Sequence, residues 1–128
     1  MNLEKNKTIL ITEDDEAIRE SLRDVLSLDG YDILEADDGD KALKVLDHCE
    51  KAGKLPDLIL LDLRMPIKDG YSFRAEQLAN PIWKTITTVV LSADGQIHNQ
   101  IEKLQVSHVL KKPIGLFDLL KTVATLLA

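Results

Sequence analysis

Short blocks of consecutive apolar residues alternate along this chain with longer segments in which apolar residues recur every three or four positions. The central block, Leu58–Leu61, runs directly into Asp62, and turn-forming residues follow it. A continuous apolar run of this length between turn residues is typical of a strand that is buried on both faces, as in a parallel sheet. Similar blocks predict four further strands, at residues 8–12, 31–36, 87–91 and 109–110.

Each predicted strand is followed by a helical pattern, which is weakest after Gly70. Either Asp14 or Asp15 is suited to cap the first helix, and Asp29-Gly30 is suited to end it. Strict alternation of strands and helices predicts an α/β fold, a five-stranded parallel sheet in the order 2-1-3-4-5 that is doubly wound with five helices. The apolar stripes of these helices are Ile18, Leu22, Val25 and Leu26, then Ala42, Leu43, Leu46 and Cys49, then Phe73 and Leu78, then Ile97, Ile101 and Leu104, and finally Leu116, Leu119, Leu120, Val123 and Leu127.

The length and composition are those of one domain, which we predict to span residues 1–128. The net charge is −6 and no basic cluster occurs, which argues against nucleic-acid binding. The N-terminus carries no apolar leader, and the apolar runs are too short to cross a bilayer, so we expect no membrane contact. The single cysteine, Cys49, cannot form an internal disulfide and is predicted to pack in the core. These features favour a cytoplasmic location.

Polar residues follow directly after most of the predicted strands. The first strand leads into Glu13 and Asp14, and the third leads into Asp62. Ser92 follows the fourth strand and Lys112 the fifth. Because the carboxyl ends of parallel strands meet at one edge of the sheet, we expect these side chains to converge there. Taken singly, each has a simpler interpretation as a helix cap, a turn residue or a solvated strand end.

Taken together, the converging residues form a chemically specific set of three carboxylates, a hydroxyl and an ammonium. Carboxylates in one cleft repel one another unless a cation joins them, and hard oxygen ligands suit Mg²⁺. A carboxylate beside this ion stays ionised and can attack phosphorus as a nucleophile. The Lys112 ammonium and the Ser92 hydroxyl are suited to stabilise the charge of a transferred phosphoryl group. The set therefore predicts an aspartyl-phosphate site with Asp62 as the acceptor.

Four motifs in this order resemble those of the receiver (phosphoacceptor) domain of two-component response regulators, of the stand-alone type similar to chemotaxis regulators. They are Glu13-Asp14, the segment from Asp62 to Gly70 in the form D-x-x-M-P-x-x-D-G, Ser92-Ala93 and Lys112-Pro113. The resemblance covers essentially the whole chain and implies a flavodoxin-like receiver fold. It also implies phosphorelay signal transduction, in which the domain is not an enzyme but assists its own phosphorylation and dephosphorylation.

The resemblance assigns expected roles to individual residues. Asp62 corresponds to the phosphorylated aspartate, and Ser92 and Lys112 to the hydroxyl and the lysine that contact the phosphoryl group. Lys112-Pro113 is expected to be a cis peptide. The expected phosphoryl donor is a histidine kinase or a phosphotransfer protein. The expected ligands of Mg²⁺ are Glu13, Asp14, Asp62 and the backbone carbonyl of Arg64.

Two positions near the fifth strand depart from the family pattern. Val109 occupies the position three residues before the lysine where receivers usually carry Tyr or Phe, so the usual coupling of hydroxyl to ring is absent or altered. Strand alternation places His108 on the opposite face, where we expect a partly buried structural histidine. Gln105-Val106 replaces the small Gly-Ala pair common in the family. An unknown downstream protein is still expected to bind the face formed by helix 4, strand 5 and helix 5.

Two charged positions flank the expected cleft, Arg64 and Asp94. An ion pair between them would hinder the attacking water and slow loss of the phosphoryl group. Alternatively, both are solvated loop charges. Phosphorylation is expected to draw in Ser92 and to shift the helix predicted at residues 96–104.

Three rival functions share parts of this pattern. An aspartyl-phosphate phosphatase would need a second acid two residues after the nucleophile, where this chain has Arg64. A flavodoxin-like cofactor module would need a phosphate-binding loop after the first strand, where Glu13–Glu16 would repel a phosphate. A receiver that has lost phosphorylation is disfavoured by the intact site. No linker follows Leu127-Ala128, which favours a stand-alone receiver over a fragment of a longer regulator.

Overall fold

The structure is a computed structural model that describes residues 6–93 and 101–128. Within these residues a single sheet has the strand order β2-β1-β3-β4-β5, and every strand pair is parallel. This order confirms the fold predicted from the alternation of strand and helix patterns. The strands are β1 (Thr8–Thr12), β2 (Asp32–Ala36), β3 (Leu58–Asp62), β4 (Thr87–Ser92) and β5 (His108–Lys111).

The first three helices start where an aspartate side chain accepts a hydrogen bond from the first turn. Asp15 rather than Asp14 caps the first helix, accepting from the backbone of Ile18 at 2.9 Å. Asp38 and Asp69 cap the second and third helices in the same way. The helices are α1 (Glu16–Leu28), α2 (Gly39–Lys51), α3 (Gly70–Ala79), α4 (Ile101–Leu104) and α5 (Leu116–Leu126), with a 3₁₀ turn at Trp83–Thr85.

The sheet separates two apolar layers, because successive strand residues point to opposite faces. On one face the strands pack against α1 and α5 through Leu22, Leu26, Leu119 and Val123. On the other face they pack against α2 and α3, where Phe73 is fully buried. β3 is buried on both faces, as its uninterrupted apolar run predicts. Cys49 is also buried, as predicted.

The third helix differs from its sequence-based interpretation. Phe73 is buried as expected, but Leu78 is only half-buried. The other large side chains that α3 buries are polar, Arg74 and Gln77. Its weak apolar stripe therefore reflects a helix held partly by buried hydrogen bonds.

The prediction for His108 is wrong, because this side chain is exposed. His108 is the first residue of β5, which is an edge strand. The strand is covered by α5 only further along, at Leu110. Lys112-Pro113 is cis, as predicted. The predictions for Asp94, Ile97 and the start of the fourth helix fall outside the described residues. No helix in the described part of the chain combines the length and apolarity needed to span a membrane.

Candidate functional site

All six residues predicted for the site line one cleft at the carboxyl edge of the sheet. The cleft has a volume of about 240 Å³. Strand pairing continues to its rim, since the Glu13 amide donates to Ala36 O at 3.0 Å and the Lys112 amide to Ser92 O at 2.8 Å. The backbone therefore fixes where the polar side chains begin. The predicted residues that line the cleft are Glu13, Asp14, Asp62, Arg64, Ser92 and Lys112.

Three carboxylates lie close enough together to share a cation. One oxygen from each of Glu13, Asp14 and Asp62 lies within 4.8 Å of the others. Glu13 is fully buried and Asp62 is 4% exposed, whereas Asp14 is exposed. Carboxylate oxygens with one side open to water match the preference of Mg²⁺, which keeps several of its waters. The donor set thus fits a hard divalent cation.

Lys112 reaches both buried carboxylates. Its Nζ lies 2.6 Å from Glu13 Oε1 and 3.3 Å from Asp62 Oδ1. Burial lowers the pKa of Lys112, but the two acids outweigh burial and raise the pKa above its usual value. Lys112 is therefore charged at neutral pH and holds a positive charge against Asp62.

The surroundings of Glu13 disfavour the charged form of its carboxyl group. Burial, and then the neighbouring Asp62, raise its pKa to about 7, although Lys112 opposes the rise. The Lys112 ammonium faces two carboxylates, those of Glu13 and Asp62. Without a metal ion, the cluster therefore favours binding of one extra proton near neutral pH. A divalent cation would supply the missing positive charge and displace that proton.

Ser92 and Arg64 line the cleft together with Asp62. Ser92 ends β4, which pairs with β3 so that Leu91 stands beside Asp62, and its side chain is almost fully buried. Arg64 is exposed, and its backbone amide lies 3.4 Å from Asp62 Oδ1. The proposed pairing of Arg64 with Asp94 falls outside the described residues.

Gly70 lets α3 begin directly against the acceptor strand. Its amide donates to Leu63 O at 3.0 Å. A Cβ at this position would lie 2.3 Å from the carbonyl oxygen of Asp62 and 2.7 Å from the Cα of Leu63. Both neighbours are backbone atoms, which cannot turn aside as a flexible side chain can. The glycine therefore fixes the loop beside Asp62.

Two features of the cleft were not predicted from the sequence. Tyr71, the second residue of α3, lines the cleft and also packs against a third apolar cluster formed by Leu63, Val90 and Leu104. The direct contact between Glu13 and Lys112 was also missed. The position of Tyr71 directly after Asp69-Gly70, at a helix start, is the sequence feature that could have indicated that Tyr71 lines the cleft. The second depends on side-chain geometry across about 100 positions of sequence.

Comparison with known proteins gives a family match over most of the chain. The model of the response regulator receiver domain matches residues 9–124. The KDP operon transcriptional regulatory protein KdpE of Escherichia coli (strain K12) is 35% identical over 113 residues, which are 87% of this chain and 47% of that protein. The chain thus spans about half the length of this curated relative.

Two solved structures of response regulators are also similar. The phosphorylated cyanobacterial phytochrome response regulator RcpA is 30% identical, with a TM-score of 0.79 over 93% of this chain and 89% of that one. The Mn²⁺-bound form of response regulator Rcp1 is 35% identical, with a TM-score of 0.75 over 91% of this chain and 88% of that one. With the family match and the observed strand order, they establish that the chain belongs to the response regulator receiver domain family.

Proposed function

We propose that this receiver domain accepts a phosphoryl group on Asp62 from a histidine kinase or a phosphotransfer protein, in a reaction that depends on Mg²⁺. The observation that carries this proposal is the arrangement around Asp62. Its carboxylate lies in an open cleft, within 4.8 Å of two further acids, and 3.3 Å from the Lys112 ammonium. The phosphorylated form of the similar RcpA and the Mn²⁺-bound form of the similar Rcp1 agree with this function.

In the proposed step, a carboxylate oxygen of Asp62 attacks the phosphorus of the donor. A new oxygen–phosphorus bond forms while the bond from phosphorus to the donor's imidazole nitrogen breaks, and the bonding electron pair stays on that nitrogen. Lys112 and Ser92 are placed to stabilise charge on the equatorial oxygens of the transferred group. Hydrolysis returns the carboxylate, so the domain is a signalling acceptor and not an enzyme acting on a separate substrate.

We assign the cation to Glu13, Asp14 and Asp62, with the carbonyl of Arg64 as a further protein ligand. A divalent cation there would supply charge neutralisation for the incoming phosphoryl group. Few protein ligands and an open side favour Mg²⁺, which retains bound water. Asp14, the exposed member, would hold the ion at the mouth of the cleft.

We further propose that phosphorylation alters a surface formed by α4, β5 and α5, where a downstream protein binds. The apolar cluster of Leu63, Val90 and Leu104 supports this, because it joins the residue after Asp62 and a β4 residue two positions before Ser92 to α4. The acidic net charge makes a protein partner more suitable than nucleic acid for this chain. A cytoplasmic location remains part of the proposal.

Incubation with acetyl phosphate tests the proposed function. With Mg²⁺ present, we expect the intact mass to rise by one phosphoryl group, and we expect no rise in chelator or in Asp62→Asn. Asp15→Asn is the matched control, because Asp15 also lines the cleft, lies outside the carboxylate trio and can be replaced by an equally good helix cap. Equal labelling of Asp62→Asn and the native chain, or none in either, would overturn the proposal.

A further inference from the structure

A second buried polar cluster lies on α3, away from the cleft. Arg74 is only 4% exposed, although arginine is rarely buried to this extent. Its Nη1 donates to Gln77 Oε1 at 2.8 Å and to Thr88 Oγ1 at 2.9 Å. The Gln77 amide in turn donates to the carbonyl oxygen of Trp83 at 3.0 Å. The cluster therefore joins α3 to β4 and to the 3₁₀ turn.

The other side of the Arg74 guanidinium points to the end of α4. Nε donates to Leu104 O at 2.7 Å, and Nη2 donates to Gln105 O at 2.6 Å. The last carbonyl groups of a helix have no partner within the helix, so they need an external donor. Gln105 has a φ of 50°, in the left-handed region that non-glycine residues seldom adopt. A planar group with fixed donors is suited to hold two adjacent carbonyls in this geometry.

Apolar packing between α3 and α4 is incomplete beside these hydrogen bonds. A cavity of about 200 Å³ remains between the two helices, lined in part by Tyr71, Leu78 and Leu104. Leu104 is buried against Leu63 and Val90, but its neighbours Lys103 and Gln105 are exposed. The described part of α4 therefore has few apolar contacts, and the guanidinium is its principal polar attachment.

We propose that Arg74 is a latch that holds the C-terminal end of α4 against α3 and β4. All four acceptors of its hydrogen bonds are neutral, so the contact is geometric recognition of carbonyl and side-chain oxygens and not an ion pair. The position of the partner-binding surface then depends on one side chain. This last consequence rests on the proposed function, whereas the latch itself does not.

Hydrogen exchange of the protein without metal or phosphoryl donor tests the latch. In Arg74→Met we expect exchange of the amides of residues 101–107 to accelerate at least about tenfold more than exchange of the amides of β1 and β3, whose acceleration follows the loss of global stability. The matched control is Arg23→Met, since Arg23 lies on α1 and bonds Asp24. That variant is expected to leave residues 101–107 unchanged.

A second variant covers the case in which Arg74→Met disturbs the whole fold. Replacing the cluster with Arg74→Leu, Gln77→Leu and Thr88→Val removes its three polar side chains together, so that neither Gln77 nor Thr88 is left buried without the guanidinium. Only backbone carbonyls, such as those of Leu104 and Gln105, then lose a donor. We expect β1 and β3 to remain protected and residues 101–107 to exchange at least about tenfold faster. Native-like protection of 101–107 in this triple variant, or uniform acceleration of all amides in both variants, would overturn the latch. Since no phosphoryl donor is used, failure of the proposed function leaves this result unaffected.

Discussion

The two buried polar clusters of this domain are satisfied to very different degrees. Around Arg74, each hydrogen-bonding group meets a partner supplied by the chain itself. Around Asp62, three carboxylates lie together in a cleft, and the Lys112 ammonium contacts only two of them, Glu13 and Asp62. The first cluster is complete without any ligand. The second has an excess of negative charge that a cation from solution can balance.

This difference separates a structural cluster from a functional one. Completed buried networks stabilise a fold, because removing one member leaves its partners buried without hydrogen bonds. A cluster of like charges costs stability in the ligand-free protein, and that cost is recovered when the ligand binds. Substitutions in the two clusters are therefore expected to change stability in opposite directions.

The largest expected effect is at Arg74. We expect Arg74→Met to lower the free energy of unfolding by about 2–4 kcal/mol, because four acceptors lose their donor. Urea denaturation measures the change. Arg23→Met, which removes a partly exposed guanidinium from α1, is expected to leave the urea midpoint of the native chain almost unchanged. Equal losses of stability in the two variants would show that the buried hydrogen bonds of Arg74 contribute no more than the exposed contacts of Arg23.

A smaller effect concerns pH and Glu13. Its pKa is raised from 4.5 to about 7 in the folded chain by burial and by Asp62. Between these values the folded protein keeps a proton that the unfolded chain has released. The contribution of this group is therefore fully present below pH 4.5 and is lost as pH rises to about 7, by an amount on the order of 2–3 kcal/mol.

Urea denaturation in chelator at several pH values isolates that contribution. We expect stability of the native chain to fall relative to that of Glu13→Gln as pH rises through this window. Glu13→Gln keeps a polar group of similar size but cannot titrate. If the difference in unfolding free energy between the two proteins stayed constant from pH 4.5 to 7, the raised pKa of Glu13 would be wrong.

The smallest expected effect is at Asp62. In chelator at neutral pH, we expect Asp62→Asn to raise the free energy of unfolding by about 1 kcal/mol, since it relieves repulsion with Glu13. Millimolar Mg²⁺ is expected to reverse the order, because only the native chain keeps the full set of ligands. Thermal melts with and without Mg²⁺ measure both. A variant that is less stable than the native chain in chelator would contradict the account.

The framework of the cleft could be predicted from the sequence because each block of apolar residues ends where the polar residues begin. Leu58–Leu61 followed by Asp62 is the clearest case, and parallel topology then brings the strand ends together. Helix caps act locally, so the cap of α1 could be narrowed from the sequence to Asp14 or Asp15, of which Asp15 is the cap.

The contacts that were not predicted from the sequence depend on three-dimensional packing. Arg74 has the residue type of a surface position, and its burial follows from oxygens supplied by Thr88, Leu104 and Gln105. His108 was expected to be partly buried because strand alternation places it on the face opposite Val109. An edge strand leaves its first residue exposed. Neither the burial of Arg74 nor the exposure of His108 is indicated by the residue type or by its immediate neighbours in the sequence.

Identifying the residue that carries the phosphoryl group tests directly whether Asp62 is the acceptor. After reaction with acetyl phosphate and Mg²⁺, borohydride reduces an aspartyl phosphate to homoserine, which peptide mass spectrometry locates in the sequence. We expect homoserine at position 62 and at no other acid of the cleft. Homoserine at Asp14 or Asp15, with Asp62 intact, would contradict it.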